Sequence, residues 1–236
     1  MRKYLQHFAL VILVGTFALV LQPVPTFAAA PLSLQPHPLP SSEREPNESC
    51  QPLSAESETW LPRHTRARLS LPEFVASIAP ADSSAVTGVF VCGVLALQVA
   101  QQPFGDPVFV SEIPDTATQF RLAAGFGTIG LLAHSERAGS KFFGLGTGQD
   151  VNIVYGDGSV KRYVVSEVRH MQSLNPGDPY SDFLDLEHDG VLLSSVQVFN
   201  QVYAKNERVV FQTCIERDGN PTWGRLFVTA TREFDE

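Results

Sequence analysis

Three side-chain types in this chain could combine into covalent chemistry: a thiol, an imidazole and a guanidinium. Cys214 follows the β-branched and aromatic run Val209-Val210-Phe211-Gln212-Thr213. A strand of that composition gives a thiol a rigid support. The stretch after it, Ile215 to Pro221, is polar and turn-forming, which predicts Cys214 at the mouth of a loop. A thiol so placed can act as a nucleophile through its thiolate. A lone thiol in a strand is otherwise a small buried apolar group. The chain returns through Trp223-Gly224-Arg225 into the run Leu226 to Ala230. If one hairpin joins these strands, Arg225 lies beside Cys214. A guanidinium there favours a thiolate, or stabilises the oxyanion formed when a thiolate attacks a carbonyl. The alternative is a surface arginine paired with Glu216 or Asp218.

A cysteine nucleophile needs a group to manage protons, usually histidine. Of six histidines, His7 lies in the N-terminal apolar segment, and His37 and His64 lie in a Pro-rich stretch. Three candidates remain. His134 ends an apolar run and opens the polar loop Ser135 to Ser140, so it combines a rigid base with an exposed tip. His170 follows another strand-like run, and His188 sits among acidic residues. Metal chemistry has little support, because no C-x-x-C, H-E-x-x-H or close histidine pair is present. Glu136, Asp157, Asp178, Asp182 and Asp185 could offer oxygens to calcium, but their spacing matches no calcium loop, and no cofactor is expected. The glycines of Gly144-Leu145-Gly146-Thr147-Gly148 lack a following lysine and read as a turn, not a phosphate loop.

The elements that must position these groups are mostly strands. Ser70 to Ile78 predicts a short helix with Pro72 in its first turn. Val89 to Val99, Val108 to Val110 and Thr128 to Ala133 read as strand-like runs. Thr116 to Ala124 reads as a short helix or turn. Asp150 to Tyr155 and Ser159 to Val168 flank Gly156-Asp157-Gly158, a strong hairpin pattern. Asn175 to Asp189 predicts a long loop or short helix, and Val196 to Val202 a strand or helix. Arg208 to Thr213 and Leu226 to Thr231 complete the strands. Short strands between turns, with few helices, predict an all-β fold: a closed barrel or a sandwich.

Composition bounds the setting. The 236 residues are 44% hydrophobic and carry a net charge of -8, which excludes a phosphate-neutralising nucleic-acid binder. The basic cluster Arg63 to Arg68 sits in a Pro-rich stretch and reads as solvated linker. Arg2 and Lys3 precede an uncharged run from Phe8 to Leu21, then Pro23, Pro25 and the small residues around Ala28. Residues 1–30 therefore read as a signal peptide or a retained N-terminal anchor, and either puts the folded part outside the cytoplasm. Residues 31–66 read as a disordered Pro/Ser-rich linker, and 67–236 as the folded domain. Cys50 and Cys92 can pair in an oxidising compartment or remain two separate thiols.

Three stretches together resemble the sortase family. Its members carry a histidine after an apolar strand, a T-L-x-T-C strand end and an R-x-x-V-x-A strand. Here these are Leu132-Ala133-His134-Ser135, Val210 to Cys214 and Arg225 to Ala230, with 80 residues from His134 to Cys214 and 11 from Cys214 to Arg225. Ser140 to Leu145 followed by Gly148 to Val151 is similar to the family's F-x-x-L and G-D-x-I stretch. The resemblance spans about residues 85–233. The family's glycine before the histidine is Ala133, and its T-L is Val210-Phe211. The segment from Met171 to Asn206 resembles the long connection of class B-like members.

The resemblance implies an eight-stranded closed β-barrel and two-step acyl transfer. Cys214 would form a thioester with a C-terminal sorting motif of an exported protein. His134 would be its acid/base partner, Arg225 the charge stabiliser and Thr213 a contact to the bound peptide. The acceptor would be an amine of a cell-wall peptide or a pilin lysine. The competing expectations are an inactive barrel of this fold that binds peptides, or another cysteine enzyme, a peptidase or L,D-transpeptidase. The last usually carries S-H-G-C at its nucleophile, which Gln212-Thr213-Cys214 lacks.

Overall fold

The computed structural model describes residues 69–232. The expected N-terminal segment and linker lie outside the described residues. Ten strands form one sheet: β1 (Val86–Val91), β2 (Leu95–Gln101), β3 (Thr116–Gln119), β4 (Thr128–Leu132), β5 (Asp150–Tyr155), β6 (Val160–Ser173), β7 (Phe183–Asp185), β8 (Val191–Leu193), β9 (Arg208–Arg217) and β10 (Asn220–Thr231). Their order is β10-β9-β4-β3-β2-β1-β5-β6-β7-β8, and β10 also pairs with β6. That pairing closes eight strands into a barrel, as expected, and leaves β7 and β8 as an extension of its wall. Three short helices accompany it: α1 (Leu71–Ser77), α2 (Arg121–Ala124) and α3 (Ser195–Val202).

Alternation along the strands divides the apolar residues between two faces. The barrel interior holds Val89, Leu97, Leu131, Ile153, Phe211 and Val228, all fully buried. On the outer face, Val198, Val202 and Tyr203 of the α3 segment pack on Val210, Phe227 and Met171. On another stretch of outer wall, α1 sets Phe74 against Phe90 with ring centroids 5.7 Å apart. The start of α1 carries a full capping box, with Ser70 and Glu73 each binding the other's backbone amide.

Several local expectations are refined. Val89 to Val99 is two strands, β1 and β2, separated by a turn at residues 92–94. Cys92 in that turn is disulfide-bonded, which removes the separate-thiol alternative for it. Cys50, the partner anticipated from sequence, lies outside the described residues. Thr116 to Ala124 splits into β3 and α2, and Val196 to Val202 is helical. Ser194 and Gln197 form a second capping box that starts α3. Asn175 to Asp189 contains the short strand β7.

Val108 to Val110 forms no strand. It belongs to the crossover from β2 to β3, which are parallel and so need a long connection. The buried side chain of Gln102 organises this crossover. Its amide nitrogen donates to the carbonyls of Pro107 (3.0 Å) and Phe109 (3.2 Å), and its oxygen accepts from the Arg121 amide (3.1 Å). The buried Ser111 amide adds a bond to Thr118 Oγ1 at 2.8 Å. The backbone groups that a ladder would use are thereby taken by side chains.

A buried ion pair joins β6 to β7. Asp185 is 1% exposed and accepts from the Arg169 guanidinium, which also donates to Gln201 of α3 at 3.1 Å. Burial pushes the Asp185 carboxyl up, but the hydrogen bonds and charge of Arg169, with His188 and the Glu187 amide, outweigh it and hold the group below the usual carboxylate range. A depressed folded-state pKa stabilises above the unfolded value of about 3.9, and the stabilisation is lost as pH falls through the lower folded value. Replacing Asp185 with Asn leaves the buried Arg169 with only the longer, more exposed contact to Glu167 at 3.7 Å, at a cost approaching about 3–5 kcal/mol. Urea denaturation at neutral pH measures that cost. The wild-type midpoint is expected to decline in acid below pH 4, and the gap to the Asn variant to narrow as it does.

Candidate active site

The site rests on three neighbouring strands. β4 and β9 are parallel, with Leu132 opposite Gln212. The Ala133 amide donates to the Gln212 carbonyl at 3.2 Å, which closes the ladder at the last residue of β4. His134 stands two residues past Leu132, as Cys214 stands two past Gln212. β9 and β10 are antiparallel, and Cys214 is directly opposite Arg225. Adjacent strands lie about 4.8 Å apart, and directly opposed residues project to the same face. Thus Cys214 and Arg225 are opposed on adjacent strands, and His134 follows the end of the strand on the other side of β9.

That face is the outer one. On β9 the interior receives Val209 and Phe211, whereas Val210 packs under α3 on the outside. Alternation then sends Gln212 and Cys214 outward. Cys214 is half-buried and is the free cysteine among the described residues. Tyr203, at the end of α3, donates its hydroxyl to Gln212 Oε1. This pair flanks Cys214 on the side toward α3.

Thr213 points the other way. It is 2% exposed, pairs with the core residue Leu226, and donates its hydroxyl to the Ala133 carbonyl at 2.9 Å. The residue anticipated as a peptide contact has its hydroxyl committed to tying β9 to the end of β4. The loop after His134 presses on the same spot. The His134 carbonyl accepts from the amides of Arg137 and Gly139, each at 3.0 Å, and a 3-10 turn follows over Ala138–Gly144. Gly139 is required by close approach: a β-carbon would lie 2.3 Å from Thr213 Oγ1, 2.6 Å from the His134 carbonyl and 2.7 Å from that of Ala133. Phe142 anchors the turn on Phe211, edge to face at 5.1 Å.

One position differs from expectation. Cys214 is not at the strand's end, because β9 continues to Arg217 and β10 begins at Asn220. The turn is the two residues Asp218 and Gly219, both at positive φ (54° and 77°), as a tight hairpin demands. The thiol therefore stands on the wall of a long hairpin, not at a loop mouth. Arg217 lies over the Trp223 ring at 4.8 Å farther out along it. Arg225 turns one terminal nitrogen back to the carbonyls of Thr222 (3.2 Å) and Gly224 (2.9 Å), which orients its guanidinium.

Glu112 escaped the sequence reading. Its carboxylate lies 3.4 Å from His134 Nε2 and accepts from Arg137 Nε at 2.8 Å. It sits in the irregular β2–β3 crossover, where no pattern marks it. His134 is partly accessible, with 35% of its side chain exposed. The other two histidines are engaged elsewhere. His170 Nδ1 lies 2.6 Å from Glu187, and His188 Nδ1 lies 3.1 Å from Asp185. Among the described residues, no group of three or more His, Cys, Asp or Glu is placed to hold a metal ion. Chemically, the arrangement offers a half-buried thiol opposite an oriented guanidinium, and an imidazole in contact with a carboxylate past the end of the neighbouring strand.

No protein-family model and no curated protein matches this chain. Among solved structures, it is similar to Listeria monocytogenes sortase A at 15% identity and TM-score 0.40, covering 64% of this chain and 89% of that one. It is similar to sortase C-1 from Actinomyces oris at 13% identity and TM-score 0.42, covering 69% and 80%. It is also similar to a Clostridium perfringens sortase D5 transpeptidase at 13% identity and TM-score 0.41, covering 70% and 87%. At such values the roles of individual residues do not pass from those proteins to this one.

A methyl group at Gly139 has nowhere to go without moving the backbone beneath it. Gly139→Ala is expected to destabilise the barrel by about 1–3 kcal/mol, as overpacking does, and to shift the amide resonances of His134 and Thr213. A urea midpoint and an amide spectrum equal to wild type would contradict the close approach.

Proposed function

We propose that this chain is an exported cysteine transpeptidase of the sortase type. The observation that supports the reading is the opposition of Cys214 and Arg225 on β9 and β10, with His134 two residues past the end of β4, the strand paired to β9. The chemistry follows from the groups. The Cys214 thiolate attacks a backbone carbonyl of a bound peptide, forming a C–S bond and a tetrahedral oxyanion. Arg225 offsets that charge. The C–N bond then breaks, and the His134 imidazolium gives its proton to the departing amine. A thioester remains on Cys214. An incoming amine attacks it, His134 takes the proton, and the thiolate leaves with a new amide formed. Glu112 orients His134 through Nε2, and Thr213 holds the ends of β4 and β9 in place.

The substrate class is a C-terminal sorting motif of exported proteins, and the acceptor is a cell-wall or pilin amine. The N-terminal apolar segment fits a location at the cell envelope, with membrane contact through that segment if it is retained. Among the described residues, no helix is long and apolar enough to cross a membrane.

The full-length protein incubated with a pool of sorting-motif peptides and a small amine is the direct test, followed by mass spectrometry. An acyl adduct on Cys214 that an added amine converts to an amide product supports a transpeptidase. Hydrolysis alone identifies a peptidase, and peptide binding without an adduct identifies a binding barrel. Cys214→Ala is expected to abolish the adduct. Arg225→Ala is expected to lower the acylation rate about 100- to 1000-fold, the scale for losing an oxyanion donor. His134→Ala is expected to cost about 100- to 10,000-fold, the scale of general acid–base catalysis.

A further inference from the structure

Away from Cys214, the same outer face of the barrel carries a second concavity. Arg208 opens β9 and Cys214 follows six residues later, so the two are about 20 Å apart along the strand. Val210 and Phe227 lie between them, covered by α3. The cleft has a volume of about 430 Å3, within the size range of small-molecule sites. It lies between the barrel wall, α3 and the β7–β8 extension, and its walls include Arg169, Asp185, Lys205, Arg208 and Thr229.

The charges in it do not balance internally. Arg169 is spent on Asp185 and Gln201, with Glu167 at 3.7 Å. Arg208 is different. It is half-buried, and its guanidinium makes no hydrogen bond or ion pair with the described residues; its Nε is buried without an acceptor. Burial destabilises its charged form, and the attraction of Glu167 is the smaller opposing influence. Lys205 also lines the cleft, is exposed, and has no carboxylate partner there. The cleft thus sets three permanent cations against two carboxylates, in a chain whose net charge is -8. A desolvated guanidinium without an anion is costly, and a ligand oxyanion relieves that cost.

We propose that this cleft binds a phosphate group, as part of a small polar molecule, through Arg208 and Lys205. The cavity exceeds one phosphate in size, and Gln201, Thr229 and Thr231 line the remainder with polar groups suited to a hydroxylated ligand. The site is separate from Cys214 and stands or falls independently of the transpeptidase reading.

The test follows the Arg208 Nε–Hε cross-peak of the full-length protein during titration with inorganic phosphate. Acetate and chloride at equal ionic strength form parallel arms. A saturable phosphate-specific shift is expected, weakened at least tenfold in Lys205→Gln but unchanged in Arg162→Gln; Arg208→Gln, which lacks that cross-peak, is read by titration calorimetry and is expected to bind phosphate at least tenfold more weakly. Lys205 is on the surface, so its variant keeps the test valid if Arg208→Gln fails to fold. The same shift in chloride would mean ionic screening only, and preferential binding of acetate would mean a carboxylate site. Either result, or undiminished phosphate binding in Lys205→Gln, overturns the proposal.

Discussion

Strand register is a discrete quantity: slipping a pair by one residue turns every side chain of a strand to the opposite face. In this barrel the antiparallel pairing of β9 with β10 sets Cys214 opposite Arg225, and the parallel pairing of β4 with β9 ends two residues before His134 and Cys214. A slip by one residue in β9 would send the thiol into the barrel interior and bring Thr213 out. The β9 core residues Val209 and Phe211 prevent it, because both would turn out of the barrel interior in the slipped pairing. Core packing thereby fixes the geometry of the outer face.

The site's supports are similarly structural. Thr213 bonds the Ala133 carbonyl at the point where β4 leaves the ladder, and Gly139 lets the following turn close over that bond. Phe142 seats the turn on Phe211. On the other side, Gln102 fixes the β2–β3 crossover, and Glu112 in that crossover reaches His134 and Arg137. His134 is therefore held from the barrel below and from the crossover beside it. A carboxylate in contact with an imidazole restricts the orientation of its ring.

The all-β class was legible in the sequence from local rules, whereas the closed eight-stranded barrel was what the resemblance implied. Strand runs alternated with turn-forming residues, and the return from Cys214 to Arg225 was short enough for one hairpin. The true length of that hairpin was hidden by its polar residues. Glu216 and Arg217 read as turn, yet Asp218-Gly219 alone makes the reversal and both flanks remain in strand. Val108 to Val110 erred in the other sense, because its β-branched composition suggested a strand where Gln102 takes the carbonyls instead. Glu112 carried no local mark at all. Its pairing with His134 spans 22 residues and depends on how the crossover folds back, which composition does not encode.

The register of β4 against β9 is open to direct measurement. Residues side by side on adjacent strands have α-carbons within the range that a disulfide spans. In the His134→Cys variant, mild oxidation should therefore join position 134 to Cys214. Peptide mapping without reductant reads the product: the account predicts a single cross-linked peptide containing both positions. Two freely alkylated thiols at 134 and 214, in a protein that remains folded, would contradict the register and with it the convergence of the three side chains.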